Sequence, residues 1–271
     1  MSFQQFINER DVGLRETLIR VLTLYSDLPC LGYRGHSTFR WLTYDDVRKR
    51  AFEIANAILR QTNVKTIGLC GRNDPTWIIN DFAACIMGAT TVGIHPHWQQ
   101  RTLERVLMET NVNVLMIERE SCEHVLSRLS KQCRERLHLV VVTDNFSSHG
   151  STNITPKIPY DVIFMSELLL SSTGAPTNHA SLTNILPEYT YLYTSGSSGR
   201  PKGLAISRKQ WLSNARISLP CRTCEDPCVM SHMSLAHGGD RGLVWYFFFS
   251  SVRNPSHLKP YTGNLSSMAF A

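Results

Sequence analysis

VKTIGLCGRNDPTWIINDFAACIMGATTVGIH, residues 64–95, changes character twice along its length. VKTIGLC (64–70) is a short apolar run with the look of a strand. GRNDP follows, where Asp74 can cap a helix and Pro75 can take its first position, at which no amide donor is required. WIINDFAACIMGA continues as that helix, and TTVGIH (90–95) is strand-like again. Strand, helix and strand in one short stretch predict parallel pairing with the helix packed on the sheet face.

The alternation extends both ways. Upstream, Val47, Ala51, Ile54, Ala55, Ile58 and Leu59 recur at helical spacing, and Thr43 with Asp46 three residues on reads as a capping box. Downstream come a helix at QQRTLERVLMET, a strand at VNVLMIE, a helix around 120–136 and a strand at LHLVVVT. The expected fold class is α/β, mostly parallel sheets flanked by helices. Between residues 144 and 160 the composition shifts to Ser, Thr, Asn and Pro, a surface loop that can mark a subdomain boundary. The last residues, 251–271, lose periodicity and read as an irregular tail that leaves the architecture incomplete.

Composition narrows the function classes. At 271 residues, 42% hydrophobic and 18% charged, the chain has an ordinary globular balance. The apolar run from Leu243 to Phe249 is too short to span a bilayer, and the first residues carry acidic groups and no apolar leader, which points to a cytoplasmic chain. The net charge of +6 is modest. Its densest runs, Arg48–Arg50 and Arg128–Arg136, fall on helices with an opposite apolar face, so they read as solvated faces and not as a nucleic-acid surface. Cys70, Cys85, Cys122 and Cys133 sit singly in apolar stretches, as reduced core thiols do. Cys221, Cys224 and Cys228 with His232 invite a zinc reading, but no second well-spaced pair completes it, and structural thiols are the expectation.

One segment stands apart. TSGSSGRPKG (194–203) lies between EYTYLYT and GLAIS, each with strand character, while Ser207 can cap a following helix, RKQWLSNARIS. Gly196 and Gly199 let the backbone turn its amides toward an anion. Thr194, Ser195, Ser197 and Ser198 add rotatable hydroxyls, and Lys202 adds a mobile positive charge, so polyphosphate is the natural occupant. The P-loop of nucleoside triphosphatases is excluded: Pro201 stands where glycine is required, Gly203 where the metal-binding hydroxyl belongs, and a strand follows instead of a helix.

YTSGSSGRPKG resembles the phosphate-binding signature of the adenylate-forming (AMP-binding) superfamily, with serines at 197 and 198 where threonines are more usual. FRWLTYDDVRKRAFEIANAI, TIGLCGRNDPTWIINDFAACIMGATTVGIHP and ERVLMETNVNVLMI resemble, in the same order, the amino-terminal part of long-chain acyl-CoA synthetases. MSLAHGGDRG (233–242) resembles the family's P-L-x-H stretch, with Ser234 replacing proline, which makes His237 the candidate beside the acyl carboxylate. Arg208 stands where that family usually has histidine.

The resemblance implies a partial adenylation domain over residues 1–250 that uses ATP and Mg²⁺ to activate a carboxylic acid, a fatty acid by likeness, and then pass it to CoA. Thr194, Ser195, Gly196, Ser197, Ser198, Gly199 and Lys202 would hold the phosphates, with Lys202 and His237 as the catalytic candidates. Peripheral membrane contact is compatible with such a substrate. The family's Y-G-x-T-E stretch, ribose-binding aspartate and carboxy-terminal catalytic-lysine domain have no match after His237. Two alternatives therefore stand beside the ligase: a noncatalytic truncated relative that acts by binding, and the adenylation part of a carboxylic acid reductase-like enzyme.

Overall fold

The computed structural model of the chain describes residues 13–35, 38–147, 161–171, 185–194, 200–216, 229–250 and 269–270. Helix α1 (Leu14–Leu24) leads into the hairpin β1 (Pro29–Arg34) and β2 (Phe39–Thr43), then helix α2 (Tyr44–Gln61). The expected capping box is formed: Asp46 N donates to Thr43 Oγ1 at 3.1 Å and Thr43 N donates to Asp46 Oδ2 at 2.9 Å. Next comes the βαβ unit of β3 (Thr66–Cys70), α3 (Pro75–Ile86) and β4 (Thr90–Ile94), its strands parallel in register from Thr66–Thr90 to Cys70–Ile94. Asp74 caps α3 by accepting from Thr76 N at 2.9 Å, and it also accepts from the amides of Phe146 and Ser147. One carboxylate thus starts a helix and ties down a distant loop.

Helix α4 (Gln100–Glu109), β5 (Val112–Glu118), α5 (Arg119–Leu126), α6 (Lys131–Arg134) and β6 (Leu139–Thr143) follow. The single helix expected around 120–136 is in fact two. Ser130 caps the second, accepting from Cys133 N at 3.4 Å, while its own amide donates to Glu104. Arg128 at the break donates to the carbonyls of Pro96 and Trp98. Then come β7 (Ile163–Phe164), α7 (Met165–Leu170), β8 (Glu188–Thr194), β9 (Lys202–Ser207), α8 (Arg208–Arg216), β10 (Val229–Met230), α9 (Gly238–Ser250) and β11 (Ala269–Phe270).

A seven-stranded sheet has the order β7-β6-β5-β3-β4-β8-β9, parallel except for β9 at its edge. Every residue of β3, β4 and β5 is buried, as expected of parallel strands covered on both faces. One core gathers Ile67, Leu69, Phe82 and Val114 beneath α2 and α3, and the other gathers Val92, Ile94, Leu115 and Val106 beneath α4. The chain lays β4 on one side of β3 and then crosses to lay β5 on the other, and ligands of open α/β sheets bind at the carboxyl ends beside such a reversal. A smaller sheet runs β10-β11-β1-β2. Its member β11 corrects the expectation of an irregular end at Ala269 and Phe270, whose backbones pair with β1; residues 251–268 lie outside those described, as do 148–160 of the expected boundary loop.

Cys30, Cys70, Cys85, Cys122 and Cys133 are buried free thiols. Burial pushes Cys85 and Cys122 up to about 12, so both remain protonated and inert at neutral pH, as the reading of core thiols requires. Cys221, Cys224 and Cys228 lie outside the described residues.

Helix α9 is pinned by a buried ion pair. Arg241 and Asp81 of α3 are both fully inaccessible to solvent, and Arg241 Nε donates to Asp81 Oδ2 at 2.9 Å while its Nη2 donates to Oδ1. Further bonds run from Nη1 to Thr190 Oγ1 at 2.7 Å and from Nη2 to Thr91 Oγ1 at 2.6 Å, and Trp245 Nε1 donates to Asp81 at 2.9 Å. The rings of Trp77, Tyr189 and Trp211 stand about the guanidinium at 5.3, 5.0 and 5.3 Å. Desolvation opposes the charge, but Asp81 outweighs it and holds Arg241 above its ordinary value. Removing one partner strands the other. Arg241→Ala should cost about 3–5 kcal/mol in urea unfolding, and Asp81→Leu combined with Arg241→Met should recover much of that loss; a single variant as stable as the parent would contradict the assignment.

Candidate functional site

The two strands expected on either side of TSGSSGRPKG are β8 and β9, an antiparallel pair in which Thr194 faces Lys202 across the mouth of the loop. Ser195, Gly196, Ser197, Ser198 and Gly199 lie outside the described residues, so the structure bears on how the loop is held and not on its interior. Lys202 is exposed, and its ammonium has no partner among the described residues. Glycine at 203 leaves room for the Tyr193 ring across the ladder: a Cβ there would lie 2.9 Å from its tip and push it aside.

Both legs of the loop are held by α4. Arg105 Nη2 donates to the carbonyl of Pro201 at 2.9 Å, on the outgoing leg. Glu109, one turn on and 3.6 Å from Arg105, accepts from the Tyr193 hydroxyl at 3.1 Å, on the incoming leg. Burial together with the bond to Glu109 pushes the Tyr193 hydroxyl upward, so it remains a donor. Trp98 closes against Tyr193 edge-on, ring centroids 6.0 Å apart. Sequence reading passed over Arg105 and Glu109 because their spacing on α4 is that of an ordinary surface ion pair.

His237 sits at the end of the segment that leads into α9. Its Nδ1 accepts from the amide of Gly239 at 3.3 Å, which puts the proton of the neutral ring on Nε2, and the ring is exposed. The segment lies directly on the sheet. A Cβ on Gly93 of β4 would come within 2.5 Å of the Ala236 Cα, and one on Gly238 within 2.6 Å of the Leu192 side chain on β8. The histidine is therefore brought to the carboxyl ends of β4 and β8, and β8 is the strand that runs into the phosphate-loop signature.

Two further side chains along the sheet prove to be structural. Glu118, at the end of β5, is buried and accepts from Ser121 Oγ, Asn145 Nδ2 and the amide of Arg72. Arg208 turns inward and donates to the carbonyls of Leu186 at 2.8 Å and Ala89 at 2.6 Å. This residue, where the resemblance leads one to expect histidine, ties the start of α8 to the loops flanking β4 and β8. His95, His97 and His124 cluster at the carboxyl end of β4, with successive ring centroids 5.7 and 6.3 Å apart. Burial, and then the neighbouring His97, lower the pKa of His95. Among the described residues no group of His, Cys, Asp and Glu is arranged to hold a metal ion.

The family model described as "AMP-binding enzyme" matches residues 20–254. The chain belongs to the AMP-binding enzyme family. Its relatives include fatty acyl-CoA synthetase A of Dictyostelium discoideum, 26% identical over 220 residues that cover 79% of this chain and 32% of that protein. Long chain acyl-CoA synthetase 2 of Arabidopsis thaliana is 27% identical over 222 residues, covering 77% and 32%. The chain thus spans about a third of the length of these curated relatives. The adenylation domain of a carboxylate reductase from Mycobacterium chelonae shares the fold, with a TM-score of 0.75 at 20% identity over 90% of this chain and 42% of that one. So does the A domain of the carboxylic acid reductase from Segniliparus rugosus, solved with AMP and a co-purified carboxylic acid, at a TM-score of 0.72 and 15% identity, covering 92% and 45%.

The bracing by α4 should be measurable without any ligand. Arg105→Ala should speed amide exchange at Tyr193 and at 202–204 about tenfold, with β3 and β5 unchanged, because the Pro201 anchor and the ion pair to the Glu109 that holds Tyr193 are both lost. Exchange at the hairpin mouth equal to the parent's would show that Arg105 does not hold it.

Proposed function

We propose that these residues form the phosphate-binding half of a site that activates a carboxylic acid with ATP. The carrying observation is the hairpin mouth, where Thr194 and a Lys202 with no partner among the described residues stand on a frame clamped by α4, on the strand that also underlies the His237 segment. Thr194 to Gly199 would wrap the β and γ phosphates, and Lys202 would neutralise charge as pyrophosphate departs. His237, with Nδ1 occupied by Gly239, would present Nε2–H to the substrate carboxylate. Mg²⁺ would come with the nucleotide: the Thr194 hydroxyl at the hairpin mouth is an oxygen ligand of the kind it takes, while the Lys202 ammonium could bind only phosphate oxygens. A fatty acid is the favoured acid, because the curated relatives are named as fatty acyl-CoA and long chain acyl-CoA synthetases.

The reaction is attack of the carboxylate on the α-phosphate, with pyrophosphate leaving, followed by acyl transfer to CoA in the ligase reading. The carboxylic acid reductase reading differs only after the acyl-adenylate. Among the described residues no helix is long and apolar enough to cross a membrane, which leaves a peripheral approach to fatty acids open to this scheme.

Lys202→Ala tests the reading on these 271 residues. The parent should bind MgATP weakly, and the variant should raise Kd about tenfold or more, as loss of one charge-assisted contact does; equal affinity would remove Lys202 from the site. ATP–pyrophosphate exchange with a fatty acid should stay at background for these residues alone, since they contain no match to the family's acidic, ribose-binding and mobile lysine groups. Measurable exchange would overturn that part of the proposal.

A further inference from the structure

Asn73, in the turn between β3 and α3, hydrogen-bonds the His237 segment at three points. Its Nδ2 donates to Ser231 Oγ at 2.8 Å and to the Met233 carbonyl at 2.6 Å, and its Oδ1 accepts from Leu235 N at 3.1 Å. One amide thereby engages three points on a segment 160 residues away in sequence. Ser231 in turn donates to Asp240, in the first turn of α9, which closes the segment into a loop. Both Ser231 and Asp240 are buried, as is Arg241, which anchors the far side. The ring of His237 is exposed between the two anchors.

We infer that Asn73 is a positioning residue for His237: it fixes the leading half of the loop on β3, Asp81 fixes the trailing half through Arg241, and the imidazole is held between them in the Nε2–H form. An amide suits this place because Met233 and Ser231 need donors while Leu235 needs an acceptor, and a carboxamide supplies two N–H donors and an acceptor oxygen from one side chain. Aspartate would keep the acceptor and lose both donors. The packing of Ala236 on Gly93 cannot substitute, since it presses on the loop without binding its polar groups. The consequence for substrate rests on the function proposed above: a histidine with its ring and proton preset needs no reordering when a carboxylate arrives.

The test uses the 271-residue chain labelled with ¹⁵N-histidine, the His237 signals being assigned with His237→Gln. The parent should show a well-separated pair of His237 ring nitrogens, with the proton on Nε2. Asn73→Asp, close in volume, should collapse that separation toward a mixture of tautomers and broaden the signals, while the other histidines keep their positions. Asn73→Ala should do so more fully; if that variant fails to fold, the Asp variant carries the test. Ser231→Ala, which cuts the link to Asp240 and one of the three Asn73 contacts, should give an intermediate change. A folded Asn73→Asp with His237 signals like the parent's would overturn the inference. Titration with octanoate is the separate control on function. Movement of the parent's His237 signals supports the carboxylate reading, and their indifference to octanoate would sink that reading while leaving the role of Asn73 as the variants find it.

Discussion

Arg241 and Asp81 make the contact on which the arrangement turns. A guanidinium and a carboxylate out of reach of water can coexist only if each satisfies the other and the leftover donors find oxygen, and here Thr91, Thr190 and Trp245 complete the set. The five residues come from α3, β4, β8 and α9, so one network fixes four elements relative to one another. It specifies position more than it adds stability, because an apolar packing of the same volume would tolerate sliding that a hydrogen-bonded ion pair does not.

From that pin the candidate site follows by short steps. Helix α9 is locked to the sheet by Arg241, one turn beyond His237, and Asn73 and Gly93 settle the segment before it. On the neighbouring strand the polar grip of α4 sets both legs of the phosphate-loop signature. Each device pairs a residue with a partner far away in sequence. The two parts of the candidate site, the hairpin mouth at Thr194 and Lys202 and the segment that bears His237, thereby meet on the same strand, β8.

Much of this was legible because it is local. The βαβ unit, the Thr43–Asp46 box, the Asp74–Pro75 start and the strands on either side of the loop each carry their signal within a few residues, and each is found where it was read. The break at 127–130 was not, because no glycine or proline marks it and the bonds that accompany it are distant, from Arg128 to carbonyls 30 and 32 positions away and from Ser130 N to Glu104. Neither Arg241 nor Asn73 could be read from sequence. Arginine in an apolar run and asparagine in a turn have ordinary local explanations, and only the fold brings Asp81 and Leu235 to them. The strand at 269–270 was missed for the same reason, since two residues carry no period and its pairing with β1 spans nearly the whole chain.

The claim at the centre is that these residues hold ATP by its phosphates. Competition between ligands on the 271-residue chain tests it most directly, with bound MgATP displaced by tripolyphosphate or by adenosine. The account predicts that tripolyphosphate displaces the nucleotide at concentrations near those of ATP itself, while adenosine has no effect in the same range. Displacement by adenosine with tripolyphosphate inert would place the affinity in a base pocket and contradict it.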